Sequence, residues 1–162
     1  MLALGIDPGT ATTGYGLVRS SEHGDLTVVE YGVIQTPAQL PMDQRLLILY
    51  QKLNELILLH RPRLGAVEKL FFSRNVTTAI TVSQARGVIL LCMAQAGLEI
   101  MEYTPMEVKQ AIAGYGGADK KQMQLMVKAL LGLEDIPRPD DAADALAIAI
   151  CQLNSYRYQS LG

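Results

Sequence analysis

Cysteine is scarce in this chain. Cys92 and Cys151 are the only two, both fall in apolar, helix-like stretches, and no CxxC spacing occurs. Without that spacing there is no thiol motif to build on, and two buried thiols in a reducing cytoplasm are expected. Long apolar runs are missing as well: none approaches the roughly 20 residues that a membrane span needs. The opening Met1-Leu2-Ala3-Leu4-Gly5-Ile6-Asp7 lacks a basic n-region, so it reads as a strand and not as a signal peptide. Repeats, low-complexity tracts and dividing linkers are also absent, which makes residues 1–162 one expected domain. Charged residues are few, 19% against 49% apolar, a balance that favours a globular core over disorder.

Excess positive charge is lacking overall, since the net charge is −2. Its distribution is uneven: residues 1–60 and 131–162 each carry −3, whereas residues 61–130 carry +4. A central basic zone beside an acidic cleft filled with metal would suit a phosphate backbone better than the total suggests.

What the chain does have is four carboxylates in apolar surroundings. Asp7 ends Leu2-Ala3-Leu4-Gly5-Ile6, and Glu68 follows Leu64-Gly65-Ala66-Val67. Asp141 and Asp144 immediately precede Ala145-Leu146-Ala147-Ile148-Ala149-Ile150. Carboxylates are rarely buried unless paired or bound to a metal, and no Lys or Arg lies beside all four. A shared hard cation such as magnesium or manganese is the economical explanation, because such ions prefer oxygen ligands.

The element pattern brings these acids within reach of one another. Residues 2–7, Gly14 to Arg19 and Leu26 to Ile34 read as an antiparallel meander, followed by a helix from Pro41 to Arg61 that Pro62 ends. Leu64 to Glu68 and Leu98 to Tyr103 read as two more strands. Between them a helix is expected from an Asn75 N-cap to Ala96, stopped by Gly97. Thr104-Pro105-Met106-Glu107 starts another helix, Asp119 opens one to Leu131, and the last begins at Pro139 or Asp140 and runs to about Tyr156. The order βββαβαβααα predicts an α/β fold: a mixed five-stranded sheet flanked by helices on both faces, as in nucleases and phosphotransferases with an RNase H-like core. Asp7 and Glu68 would sit at strand ends, where ligands collect, and would converge if their strands are neighbours. Asp141 and Asp144, spaced i, i+3, would share one face of a helix first turn, with Asp140 the better candidate for capping.

Taken in order, these segments closely resemble the RuvC family of Holliday-junction resolvases. The resemblance is carried by Gly5-Ile6-Asp7-Pro8-Gly9-Thr10 with Thr13-Gly14-Tyr15-Gly16, Ala66-Val67-Glu68 with Phe71, Gln84-Ala85-Arg86-Gly87-Val88, Val108-Lys109-Gln110, Asp119-Lys120, and Asp141 through Ala149. It implies that Asp7, Glu68, Asp141 and Asp144 bind two magnesium ions per subunit, with manganese a plausible substitute. It implies symmetric hydrolysis of a four-way DNA junction, leaving a 5′-phosphate and a 3′-hydroxyl. Lys109 and Lys120 match the family's active-site lysines, and Phe71 its base-stacking aromatic, with Phe72 as the alternative ring; Arg74 and Arg86 are candidate phosphate contacts. The family also implies a homodimer, cytoplasmic location, and RuvA and RuvB as branch-migration partners. Asp140 departs from the pattern by adding an acid before Asp141. No long basic tail follows the last helix, so little DNA binding is expected from the C terminus.

A route to the dimer is visible in the helix from Asn75, whose Ile80, Val82, Ala85, Val88, Ile89, Leu91, Cys92 and Met93 spread around most of its circumference. A helix apolar on more than one face must bury the second face as well. Three rival functions share some of these features: an RNase H-like nuclease on RNA or other branched DNA, a non-catalytic DNA-binding module, and an ATP-binding domain of the actin and sugar-kinase type. The last would need a second domain, for which 162 residues leave no room. The intact acid quartet argues against the binding module.

Overall fold

The computed structural model describes residues 1–69 and 76–162. Among the described residues, five strands, β1 (Leu2–Asp7), β2 (Thr12–Ser20), β3 (Leu26–Gln35), β4 (Leu64–Glu68) and β5 (Glu99–Tyr103), form one sheet in the order β3-β2-β1-β4-β5. The first three make an antiparallel meander, while β1/β4 and β4/β5 are parallel. The described helices are α1 (Met42–His60), α2 (Val76–Gln95), α3 (Pro105–Ala113), α4 (Lys120–Leu131) and α5 (Asp140–Ser160). This is the RNase H-like α/β arrangement expected from the element order. Two boundaries differ by more than one residue: β2 starts two residues earlier, where Thr12 and Thr13 already pair with Gln35 and Ile34, and α5 continues four residues past Tyr156. Asn75 lies outside the described residues.

Strand alternation divides the core in two. Leu4, Ile6 and Leu17 point toward α1 and α2, where they pack with Leu53, Ile89 and Met93. Ala3, Val18, Leu64 and Ala66 point the other way, toward α5, which α3 and α4 cover from outside. A period of two places every second strand residue on the same face, so the alternation fixes which face each strand-end acid joins. α2 alone among the described helices is long and apolar enough to cross a membrane by length and composition. Here its Ala79, Ala85, Ile89, Cys92 and Met93 are buried in the fold.

Local chemistry sets the helix ends near the site. Thr104 and Glu107 close a reciprocal capping box on α3, with Pro105 in the first turn, and Asp119 and Gln122 do the same for α4. Each box satisfies two backbone N–H groups that the first turn leaves without partners. α5 is different. Its N-cap is Pro139, with no side-chain cap, and Asp140 is the first helical residue. The capping role expected of Asp140 is therefore corrected: it already lies inside the helix, where its own carboxylate is turned to neighbouring side chains.

Candidate active site

β1 and β4 are parallel neighbours, with Ile6 opposite Val67, so Asp7 and Glu68 leave the sheet side by side at its C-terminal end. Ala3 and Ala66 belong to the core on the α5 side. Asp7 and Glu68 lie an even number of residues from them and therefore face α5 too. α5 approaches so closely because the strands beneath it carry glycine. Gly14 pairs with Asp7 across β1/β2, and a Cβ at Gly14 would stand 2.0 Å from the Asp141 carbonyl oxygen. The first turn of α5 thus rests on strand backbone, and Asp141 and Asp144 meet Asp7 there. One carboxylate oxygen from each of the three lies within 4.8 Å of the others.

Such crowding is unfavourable for free carboxylates. Burial raises the pKa of Asp7 from 3.8 to about 8, with help from the negative charges of Glu68, Asp144 and Asp141. Burial and Asp144 raise Glu68, against the opposing influence of a hydrogen bond with Asp7 and the Lys109 charge. Loss of water around Asp144 raises it also, while Lys120 pulls it down. Without a cation, the group holds protons instead of its full negative charge. A divalent ion among these oxygens would reverse the balance, since a bound cation is the largest local charge in a site. The donors are carboxylate oxygens with neither sulfur nor imidazole among them, which fits a hard, oxygen-seeking metal.

Beside the acids lies a cleft of about 260 Å³. Glu68, Asp144, Lys109 and Lys120 give it a charged mouth, and Val108, Val127 and Ile148 contribute apolar wall. Lys109 is carried by α3 and Lys120 is the first residue of α4, so the two capping boxes fix the elements that present both ammonium groups.

The family model described as "Crossover junction endodeoxyribonuclease RuvC" matches residues 3–152. This chain belongs to the RuvC family. A curated relative of that name from Syntrophomonas wolfei is 59% identical over 160 residues, covering 99% of this chain and 92% of the relative. The solved structure of Thermus thermophilus RuvC superposes with a TM-score of 0.92 at 37% identity, covering 98% of this chain and 97% of that one. T. thermophilus RuvC in complex with a Holliday junction substrate gives 0.89 at 35% identity, covering 98% and 96%.

Of the site residues expected from sequence, the structure draws Asp7, Glu68, Asp141, Asp144, Lys109 and Lys120 to one end of the sheet. Arg86 is placed differently from a free surface cation. Its guanidinium is paired with Glu102, so that it ties α2 to β5, and its side chain is only 18% exposed. Phe71, Phe72 and Arg74 lie outside the described residues. Two participants are not expected at the site from sequence: Gln124 carries no mark there, and Asp140 is marked only as an added acid suited to capping. Gln124 lines the cleft and donates to Asp140, and Asp140 also accepts from Lys120. The one local signal is the i, i+4 spacing of Lys120 and Gln124, which puts both on one face of α4; nothing in the sequence points to their partner on another helix.

Proposed function

We infer that this chain is a crossover junction endodeoxyribonuclease that resolves four-way DNA junctions, with residues 1–162 acting as a single nuclease domain. One observation carries the reading: in a member of this family, carboxylates from β1, β4 and α5 converge at the edge of a cleft that Lys109 and Lys120 also line.

Asp7, Glu68, Asp141 and Asp144 would hold magnesium, two ions per subunit, with manganese able to substitute. When bound, such ions supply a water activated for attack and neutralise charge on the scissile phosphodiester. The remaining work falls to the chain. The apolar wall of the cleft limits water around the reacting group, and Lys109 and Lys120 face the negative charge that grows on phosphate oxygens, a point-charge role suited to lysine. Hydrolysis adds hydroxide to phosphorus and a proton to the departing 3′ oxygen, which yields a 5′-phosphate and a 3′-hydroxyl. Phe71 and Arg74 are the proposed DNA contacts.

Resolution requires two cuts, and each cleft makes one. α2 supports a homodimer: Val76, Ile80 and Leu91 are at least half exposed, while Ala79, Ala85 and Ile89 are buried. A second copy covering that outer face would give a two-fold pair. Cytoplasmic location and work alongside RuvA and RuvB complete the proposal.

The test uses a labelled four-way junction and a linear duplex, each with and without magnesium. Paired, metal-dependent nicks in the junction are expected. Asp7→Asn should bind the junction but leave it uncut. Equal cutting of plain duplex would sink the reading.

A further inference from the structure

Lys120 and Gln124 stand one turn apart on α4 and hold the same carboxylate on α5. Lys120 Nζ donates to Asp140 Oδ2, and Gln124 Nε2 donates to Asp140 Oδ1 at 3.0 Å. Asp140 is therefore engaged through both oxygens by the helix opposite. It supplies no cap to α5, and it is not among the three carboxylates whose oxygens converge. The contact also adds little to stability. The Lys120 and Asp140 side chains are 61% and 56% exposed, and ion pairs this open to water gain little after screening and the ordering of a long side chain.

Position explains the contact better. Lys120 and Gln124 both line the cleft that Glu68, Asp144 and Lys109 also border. A lysine ammonium carries three donors, so one taken by Asp140 leaves two for phosphate oxygens. A flexible four-carbon stem would otherwise have to be ordered at the moment of reaction. The bond from Gln124 in turn fixes the carboxylate that fixes the lysine. We propose that Asp140 is a positioning residue for junction cleavage: held by Gln124, it keeps the Lys120 ammonium over the cleft before DNA arrives. This rests on the role given to Lys120 under the proposed function. The opposite arrangement, in which Asp140 withholds Lys120 from phosphate, predicts an effect of opposite sign.

The experiment is a double-mutant cycle on the full-length protein. Single-turnover cleavage of a labelled four-way junction in magnesium is compared for wild type, Asp140→Ala, Lys120→Ala and the double variant. Junction affinity is measured separately without magnesium, and thermal melting checks the fold. Asp140→Ala is expected to slow the cleavage step roughly 3- to 10-fold, toward the lower end of the coupling found between contacting residues, with junction affinity unchanged. In the Lys120→Ala background the same substitution should have no further effect. Asp140→Asn, which keeps an acceptor for Gln124 but loses the charge, should fall between, and it takes the place of the alanine variant in the cycle if that variant does not fold. Wild-type or faster cleavage by Asp140→Ala, or an equal loss in the Lys120→Ala background, overturns the positioning role while the nuclease reading stands. A wild-type protein that leaves the junction whole overturns both.

Discussion

On one side of the sheet, α1 and α2 pack through Leu4, Ile6, Leu17, Leu53, Ile89 and Met93, large side chains that keep the helices a full side-chain layer from the strands. On the other, α5 lies on Gly5, Gly14 and Gly16, where an added Cβ would meet helix backbone at 2.1, 2.0 and 2.8 Å. Both sides are closely packed, but they constrain different things. The aliphatic side gains most of its stability from apolar area removed from water, which is non-directional and tolerates small shifts. The glycine side sets a distance between backbones, and through it the position of Asp141 and Asp144 over Asp7. Both sides bury an apolar core, but only the second also sets the chemical geometry.

Substitutions can break that division. The largest expected effect follows Gly14→Ala, because the new methyl would occupy the place of the Asp141 carbonyl and push the start of α5 away. Misplacing catalytic groups by about 1 Å can cost on the order of 10²-fold in rate. Junction cleavage should fall by about that much, while circular dichroism still reports a folded protein. An unchanged cleavage rate would show that α5 does not depend on this contact.

Leu53→Ala sharpens the comparison from the other side. Leu53, on the buried face of α1, is fully buried, and removing such a side chain costs about 2–5 kcal/mol. Chemical denaturation should report that loss, while the folded variant cuts junctions near the wild-type rate. A large rate defect at full folding would mean that the aliphatic side also sets the site.

The third comparison concerns pH. Asp7 has a folded pKa of about 8 against an ordinary value of 3.8, and Glu68 and Asp144 are raised in the same direction. A proton held more tightly in the folded state stabilises it below the unfolded value, and that contribution is lost as pH rises through the folded value. Metal-free protein should therefore lose melting temperature between about pH 4 and about pH 8 relative to Asp7→Asn, with Asp7→Asn the more stable at the upper end. Magnesium at that end should stabilise the wild type and leave Asp7→Asn little changed. Parallel pH profiles for the two proteins would contradict the crowding of charge at Asp7.

Much of the site is legible along the chain because its acids interrupt apolar runs. Asp7 and Glu68 stand where β1 and β4 end, and the i, i+3 spacing of Asp141 and Asp144 puts both on one helical face whatever the rest of the chain does. The neighbouring of β1 and β4 is only a condition of that reading, since nothing local to either strand selects its partner. Arg86 shows the other limit: its spacing gives a cation on a helix, but its pairing with Glu102 depends on how α2 crosses β5. Asp140 looks suited to capping because Asp favours helix starts, yet α4 supplies two donors that engage it instead.

By itself, the order of residues determined which elements form, which of their faces are apolar and which acids end up at element termini, because these follow from periodicity and from interactions a few residues long. The tertiary structure decided that β4 would lie next to β1, how near α5 could come to the strands, and that Asp140 would meet Lys120 and Gln124. Those outcomes depend on contacts between segments far apart in the chain, and a contact of that kind is fixed only when the intervening elements have packed.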